Sequence, residues 1–135
     1  MSFNLYSDAA LTTLAPLRLL QLAEVAPAAV TGVMYLGSTN AAETLEAESD
    51  PGVDDLVLSV VDADALTGAA ATAVKLALTS GGLVSATGGA PLNLGVTVLG
   101  GVANALPIHY KFEPQTLDAG KYTDLSFLIS DALVY

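Results

Sequence analysis

Asp124-Leu125-Ser126-Phe127-Leu128-Ile129 is the segment that decides the fold. Leu125, Phe127 and Ile129 fall on one side of an extended chain, and Asp124, Ser126 and Leu128 on the other. Such period-two alternation is the mark of a β-strand with one face turned to a core. The same rhythm appears at Leu56, Leu58 and Val60, at Val74, Leu76 and Leu78, and at Leu92, Leu94, Val96 and Val98. It returns at Ile108, Tyr110 and Phe112, where Pro107 sits near the strand's first residue, a tolerated place.

Working outward, Phe3 to Tyr6 reads as a first strand and Val30 to Leu36 as another. Residues 16–22 fit either a strand or a short helix between Pro16 and Pro27. Leu83-Val84 reads as a short edge piece, and Leu133 to Tyr135 as an apolar ending. The polar stretch 38–55 reads as a solvated loop, with a helical turn at 41–47 as the alternative. The glycine pairs at 81–82, 88–89 and 100–101 read as turns, because glycine supplies positive φ. About eight short strands at the 8–12-residue spacing of a sandwich result, with no βαβ rhythm. The expected fold is one all-β domain over 1–135, an antiparallel β-sandwich of immunoglobulin-like or jelly-roll-like form.

Composition narrows the function. Fourteen Asp and Glu oppose four Lys and Arg, for a net charge of −10. Arg18, Lys75, Lys111 and Lys121 form no run, so the basic footprint that nucleic acid demands is missing. The same acidity argues against an anionic membrane surface. No apolar run reaches membrane-span length, and Asp8 falls where a signal peptide's apolar core would lie. Synthesis in the cytoplasm without export is expected. With no cysteine there is no disulfide framework and no thiolate metal site. Apolar residues make up 53% and charged residues 13%, against about 25% charged in an average domain. That excess favours a surface partly covered by other subunits.

Chemistry is poorly represented. The lone histidine, His109, sits in an alternating strand with no partner in the sequence to orient it. No nucleophile elbow and no phosphate-binding loop occurs. Eight carboxylates (Glu43, Glu46, Glu48, Asp50, Asp54, Asp55, Asp62 and Asp64) fall within 22 residues. Calcium would use them as oxygen ligands, but EF-hand spacing is absent. A solvated loop is the favoured reading, with electrostatic pairing to a partner next. No cofactor, no metal and no enzymatic activity are expected.

Two resemblances refine this. Asp118-Ala119-Gly120-Lys121-Tyr122 resembles the Asp-x-Gly-x-Tyr corner of immunoglobulin-like sandwiches. It implies a structural corner at Asp118, Gly120 and Tyr122. Asp124 stands two residues beyond, where such domains place a core residue. Either a bulge resets the phase or the corner is not a true one. The ending Ala-Gly-x-Tyr-Thr-Asp is also similar to that of secreted pilin-like subunits.

The opening Phe3-Asn4-Leu5-Tyr6-Ser7-Asp8 resembles small virion proteins of tailed bacteriophages, of the head decoration (cement) type. So do the run YLGSTNAAETLEAESDPGVDD, the run LNLGVTVLGGVANALPIHYKF and the GKYTDLSFLI ending. The resemblance implies a sandwich that braces an assembled capsid, with the major capsid protein or another virion protein as partner. It implies a homo-oligomer, commonly a trimer, located in the virion. Docking is expected through an N-terminal segment of about residues 1–22, at Phe3, Leu5, Tyr6, Leu17 and Leu19, and through Leu133 and Tyr135. The alternative is an exported adhesin-like or carbohydrate-binding module, which predicts an exposed tyrosine platform or a bound calcium ion. A hydrolase on the same sandwich ranks third.

Overall fold

The computed structural model describes residues 3–15, 18–22, 30–62, 72, 74–112 and 121–135. Among them lie eleven strands and no helix longer than a single 3-10 turn. In chain order they are β1 Asn4–Tyr6, β2 Arg18–Leu22, β3 Val30–Gly37, β4 Thr44–Ala47, β5 Leu56–Asp62 and β6 Val74–Ala77. There follow β7 Leu92–Gly95, β8 Thr97–Leu99, β9 Leu106–Phe112, β10 Lys121–Ile129 and β11 Ala132–Val134.

Every pairing is antiparallel. The first sheet runs β1-β3-β9-β6, the second β2-β10-β5-β7, and a smaller third sheet β11-β4-β8. Four pairs are nested: β2 with β10, β3 with β9, β4 with β8 and β5 with β7. The chain therefore runs as one long hairpin folded over on itself, with β6 near its apex. Such nesting is how jelly rolls are wired. The all-β antiparallel sandwich expected from the alternation is the fold.

One core serves all three sheets. Leu36 and Ile108 enter it from the first, Leu56, Leu58 and Phe127 from the second, and Leu45 and Val98 from the third. Each such buried side chain stabilises the fold by about 1.5–3 kcal/mol relative to exposure. Tyr110 and Phe127 meet across the two large sheets, ring centroids 6.2 Å apart and tilted by 56°. Gly32 lies directly opposite Tyr110. The Tyr110 ring occupies the space a Cβ at position 32 would need, with its Cζ 2.5 Å from that point.

Three local expectations are corrected. Thr44–Ala47 is a strand where a loop or helical turn was expected. Leu45 and Ala47 point into the core while Thr44 and Glu46 remain half-buried, so the glutamates masked a period-two pattern. Residues 92–99 form two strands, because Gly95 takes φ 90° and turns the chain from the second sheet into the third. Leu83-Val84 belongs to the 3-10 turn Gly81–Val84. With β11, these changes raise about eight strands to eleven.

The N-terminal segment is tied to the sandwich. β1 pairs with β3, and Tyr6 bridges Leu14. Between them Asp8 accepts the backbone N–H groups of Thr12 and Thr13 and the Thr12 hydroxyl. These bonds, the Thr12 hydroxyl first, hold the Asp8 carboxyl below its ordinary value. Leu11, at φ 56°, is held within this loop and buried against Gly37.

Candidate interaction surface

The third sheet is three strands wide, and its two faces differ sharply. On the inner face Val134 pairs with Leu45 and Leu45 with Val98, and the last two are buried. The outer face carries the alternate residues. Tyr135 and Thr44 exchange both backbone bonds, at 2.8 and 3.0 Å, and Thr44 pairs in turn with Leu99. In the next row Leu133 pairs with Glu46, and Glu46 with Thr97. Tyr135 is 60% exposed, Leu99 54% and Leu133 38%. Val102, in the 3-10 turn Val102–Asn104 that follows β8, is also exposed.

That face rests on a firm base. Buried Ser38 donates its hydroxyl to Glu43 at 2.9 Å, and its backbone oxygen accepts the Gly101 N–H at 2.7 Å. Gly100 N–H reaches the Glu43 carbonyl at 2.8 Å, and the Asn104 amide donates to the Gly100 carbonyl. A Cβ at position 100 would collide with the carbonyl oxygens of Asn40 and Glu43, so only glycine allows this approach. Glu48 N–H bonds the Asp131 carbonyl and ties down the start of β11. The apolar side chains are therefore presented by a braced three-stranded sheet, the kind of support that recognition needs.

The expected docking residues divide. Leu133 and Tyr135 are on this face. Phe3 and Leu5 are buried in the chain's own core, so the N-terminal docking expectation fails for them. Burial against β3 leaves them no surface to offer. Tyr6 is half-buried beside Tyr35. Leu17 lies outside the described residues; of Leu19 only the backbone is described, paired to Leu125. Asp118 and Gly120 also lie outside them. At Tyr122 the pairing of β10 with β2 shifts register before Leu125, with one extra residue on β10. Such an extra residue is the geometry of a β-bulge.

Leu99 and Val102 were not singled out from the sequence. The alternation that turned Val98 inward already placed Leu99 outward. On the second sheet, exposed Leu128 pairs with Ser59. Among the tyrosines whose side chains are described (6, 35, 110 and 135), only Tyr135 is exposed, which makes no stacking platform.

The acidic segment does not converge on a point. Asp54 accepts the Ser49 hydroxyl at 2.6 Å and Asp55 the Asn93 amide at 2.5 Å. Among the described residues no three His, Cys, Asp or Glu groups could share a metal ion. Asp64 and the side chain of Asp62 lie outside them. His109 is half-buried on the outer face of the first sheet, opposite Val33 and Ala77. It lines a groove with no carboxylate among its lining residues.

No family model matches this chain, and no curated protein or solved structure is significantly similar to it.

Proposed function

We propose that this chain is a structural accessory protein of a virus particle, a decoration or cement protein that binds an assembled bacteriophage capsid. The observation that carries the reading is the outer face of the third sheet. Leu99, Leu133 and Tyr135 stand exposed there, although the same strands bury Leu45 and Val98 on their other side. Large apolar side chains held in water by a braced sheet are what a docking surface looks like. The strong negative charge makes copies of the free protein repel one another in solution.

The mechanism is linkage. A protein that binds the closed lattice and not its separated subunits stabilises the lattice by mass action, by about 2.7 kcal/mol per site at a hundredfold excess over Kd. No bond is made or broken.

The test is reconstitution. Shells that lack the protein are mixed with purified chain, sedimented, and heated. Co-sedimentation at a fixed stoichiometry and a raised disruption temperature are expected. Leu133→Asp with Tyr135→Ser should abolish both while leaving the chain folded. A chain that stays in the supernatant at every concentration overturns the proposal.

A further inference from the structure

Both edges of the first sheet are closed by the chain's own backbone. On β1 the Leu5 carbonyl accepts the Ala15 N–H at 2.9 Å, and Tyr6 bridges Leu14. On β6 the Val74 carbonyl accepts the Gly89 N–H at 2.8 Å. A row of unpaired backbone groups invites another strand, and folded chains cover such rows, charge them or break them.

β11 has none of these guards among the described residues. It lies at the edge of the third sheet, with only β4 beside it. Its bonds to β4 fall on alternate residues: Tyr135 exchanges both with Thr44, and the Asp131 carbonyl accepts the Glu48 N–H. That parity turns the backbone groups of Asp131, Leu133 and Tyr135 toward β4, and those of Ala132 and Val134 away from it. Among the described residues no backbone group outside β4 bonds Ala132 or Val134. Ala132-Leu133-Val134-Tyr135 holds no charge, no proline and no glycine. The opposite edge, β8, differs: its three residues lie between Gly95 at φ 90° and Gly101 at φ 97°, so the chain bends away at both ends.

The open edge is complementary to itself. A twofold axis at Leu133 sets Ala132 against Val134 of the second copy, and Val134 against its Ala132. All of these are residues whose N–H and C=O point outward. Each such pair exchanges two bonds, so four N–H···O bonds form. The two Leu133 side chains meet on the outer face, at the close spacing of a non-hydrogen-bonded pair. Asp131 falls opposite Tyr135, not opposite another carboxylate. The register therefore sets no like charges face to face, although each copy carries −10. A strand of unrelated sequence would match this edge by accident; the same strand turned round matches it by construction.

We propose that two copies of this chain pair edge to edge through β11, antiparallel about a twofold at Leu133. The third sheet then runs through both copies in the order β8-β4-β11-β11-β4-β8. Leu99, Leu133 and Tyr135 of both copies share its outer face. The contact is isologous and closes as a dimer. A few backbone bonds, little buried area and the mutual repulsion of acidic copies make it weak, with Kd between about 10 μM and 1 mM. It uses the strand's edge and leaves the outer face open, so it stands apart from shell binding.

Sedimentation equilibrium on the full chain, without shells, tests it. Mass should rise toward that of a dimer with concentration, more so at about 0.5 M salt than at about 50 mM, because screening weakens the repulsion. Ala132→Pro removes an N–H that points away from β4, and should weaken association at least about tenfold while keeping the fold. Val134→Pro removes the other outward N–H and serves as the second variant should Ala132→Pro fail to fold. The chain has no cysteine, so single cysteines report the register. Leu133→Cys should give a disulfide-linked dimer under mild oxidation at least about tenfold faster than Tyr135→Cys, whose two copies stand roughly 13 Å apart along the paired strands, beyond disulfide reach. A wild-type chain still monomeric at about 1 mM in about 0.5 M salt overturns the proposal. So does a dimer that both proline variants leave intact. Equal or faster crosslinking at position 135 overturns it too, since that places outer faces together instead of edges. Ala132→Pro keeps Leu133 and Tyr135 and should still co-sediment with shells, so a failed dimer and a failed shell contact are told apart.

Discussion

Gly32→Ala is the substitution whose consequence the geometry fixes most tightly. The new Cβ would stand 2.5 Å from Tyr110 Cζ and 2.9 Å from Cε1, where ordinary contact begins near 3.4 Å. Relief requires the ring to move by about an ångström, and Phe127 lies in contact beyond it, centroids 6.2 Å apart. Overpacking of that size costs about 1–3 kcal/mol, and the lower glycine content of the unfolded chain returns at most about 1. The net expectation is a loss of about 1–2 kcal/mol. The obstacle is a side chain, so it can be removed. Tyr110→Leu alone should destabilise by about 1–3 kcal/mol through lost packing, and the double variant should be better than the sum by at least about 1. Urea unfolding of all four proteins at constant m measures the cycle. A Gly32→Ala midpoint equal to wild type, or strict additivity, refutes the reasoning. Either would mean that the ring does not rest on the bare glycine.

Other outcomes follow from the same structure. Gly100→Ala meets backbone carbonyls that cannot step aside, so it should cost about 3 kcal/mol or more in urea unfolding, while Gly81→Ala, with nothing near it, should be neutral within about 0.5. Leu133→Asp should change the melting temperature by no more than a few degrees, since its side chain faces water, yet remove shell binding by co-sedimentation. Asp8 has a carboxyl held below 3.8, so its contribution is present above that pH and lost as pH falls through the lowered value. The gap in melting temperature between wild type and Asp8→Asn should therefore close in acid, read by thermal scans from neutral pH downward. Calcium should leave the melting temperature unchanged, because among the described residues no three carboxylates come together to share an ion, and Glu43, Asp54 and Asp55 each accept a separate bond.

Much of the fold was legible because its strands keep a strict period of two. Leu56 and Leu58 are buried and Val57 and Ser59 half-buried, as the alternation requires. β4 escaped because only Leu45 and Ala47 carry its inward face, and two glutamates beside them read as solvent. The break at Gly95 escaped because the hydrophobic pattern runs on through it. A glycine at positive φ changes direction without changing the pattern. The site was half legible. Leu133 and Tyr135 lie beyond the last strong strand, so their exposure could be guessed. Phe3 and Leu5 look the same in sequence but are claimed by the core, because pairing with β3 turns their face inward. Nothing local distinguishes the two ends; only the strand each one pairs with does.

Salt tells an apolar shell contact from a charged one. A chain carrying −10 repels its own copies and any acidic shell, and the repulsion fades as the Debye length shrinks from about 10 Å at 0.1 M to about 3 Å at 1 M. Contact through Leu99, Leu133 and Tyr135 draws on apolar burial, which salt does not screen, so screening the repulsion should leave it unchanged or tighten it. A contact carried by the acidic loop against basic patches of a shell would instead loosen with the same salt. If shell binding fell with rising salt, charge and not the apolar face would be carrying the shell contact.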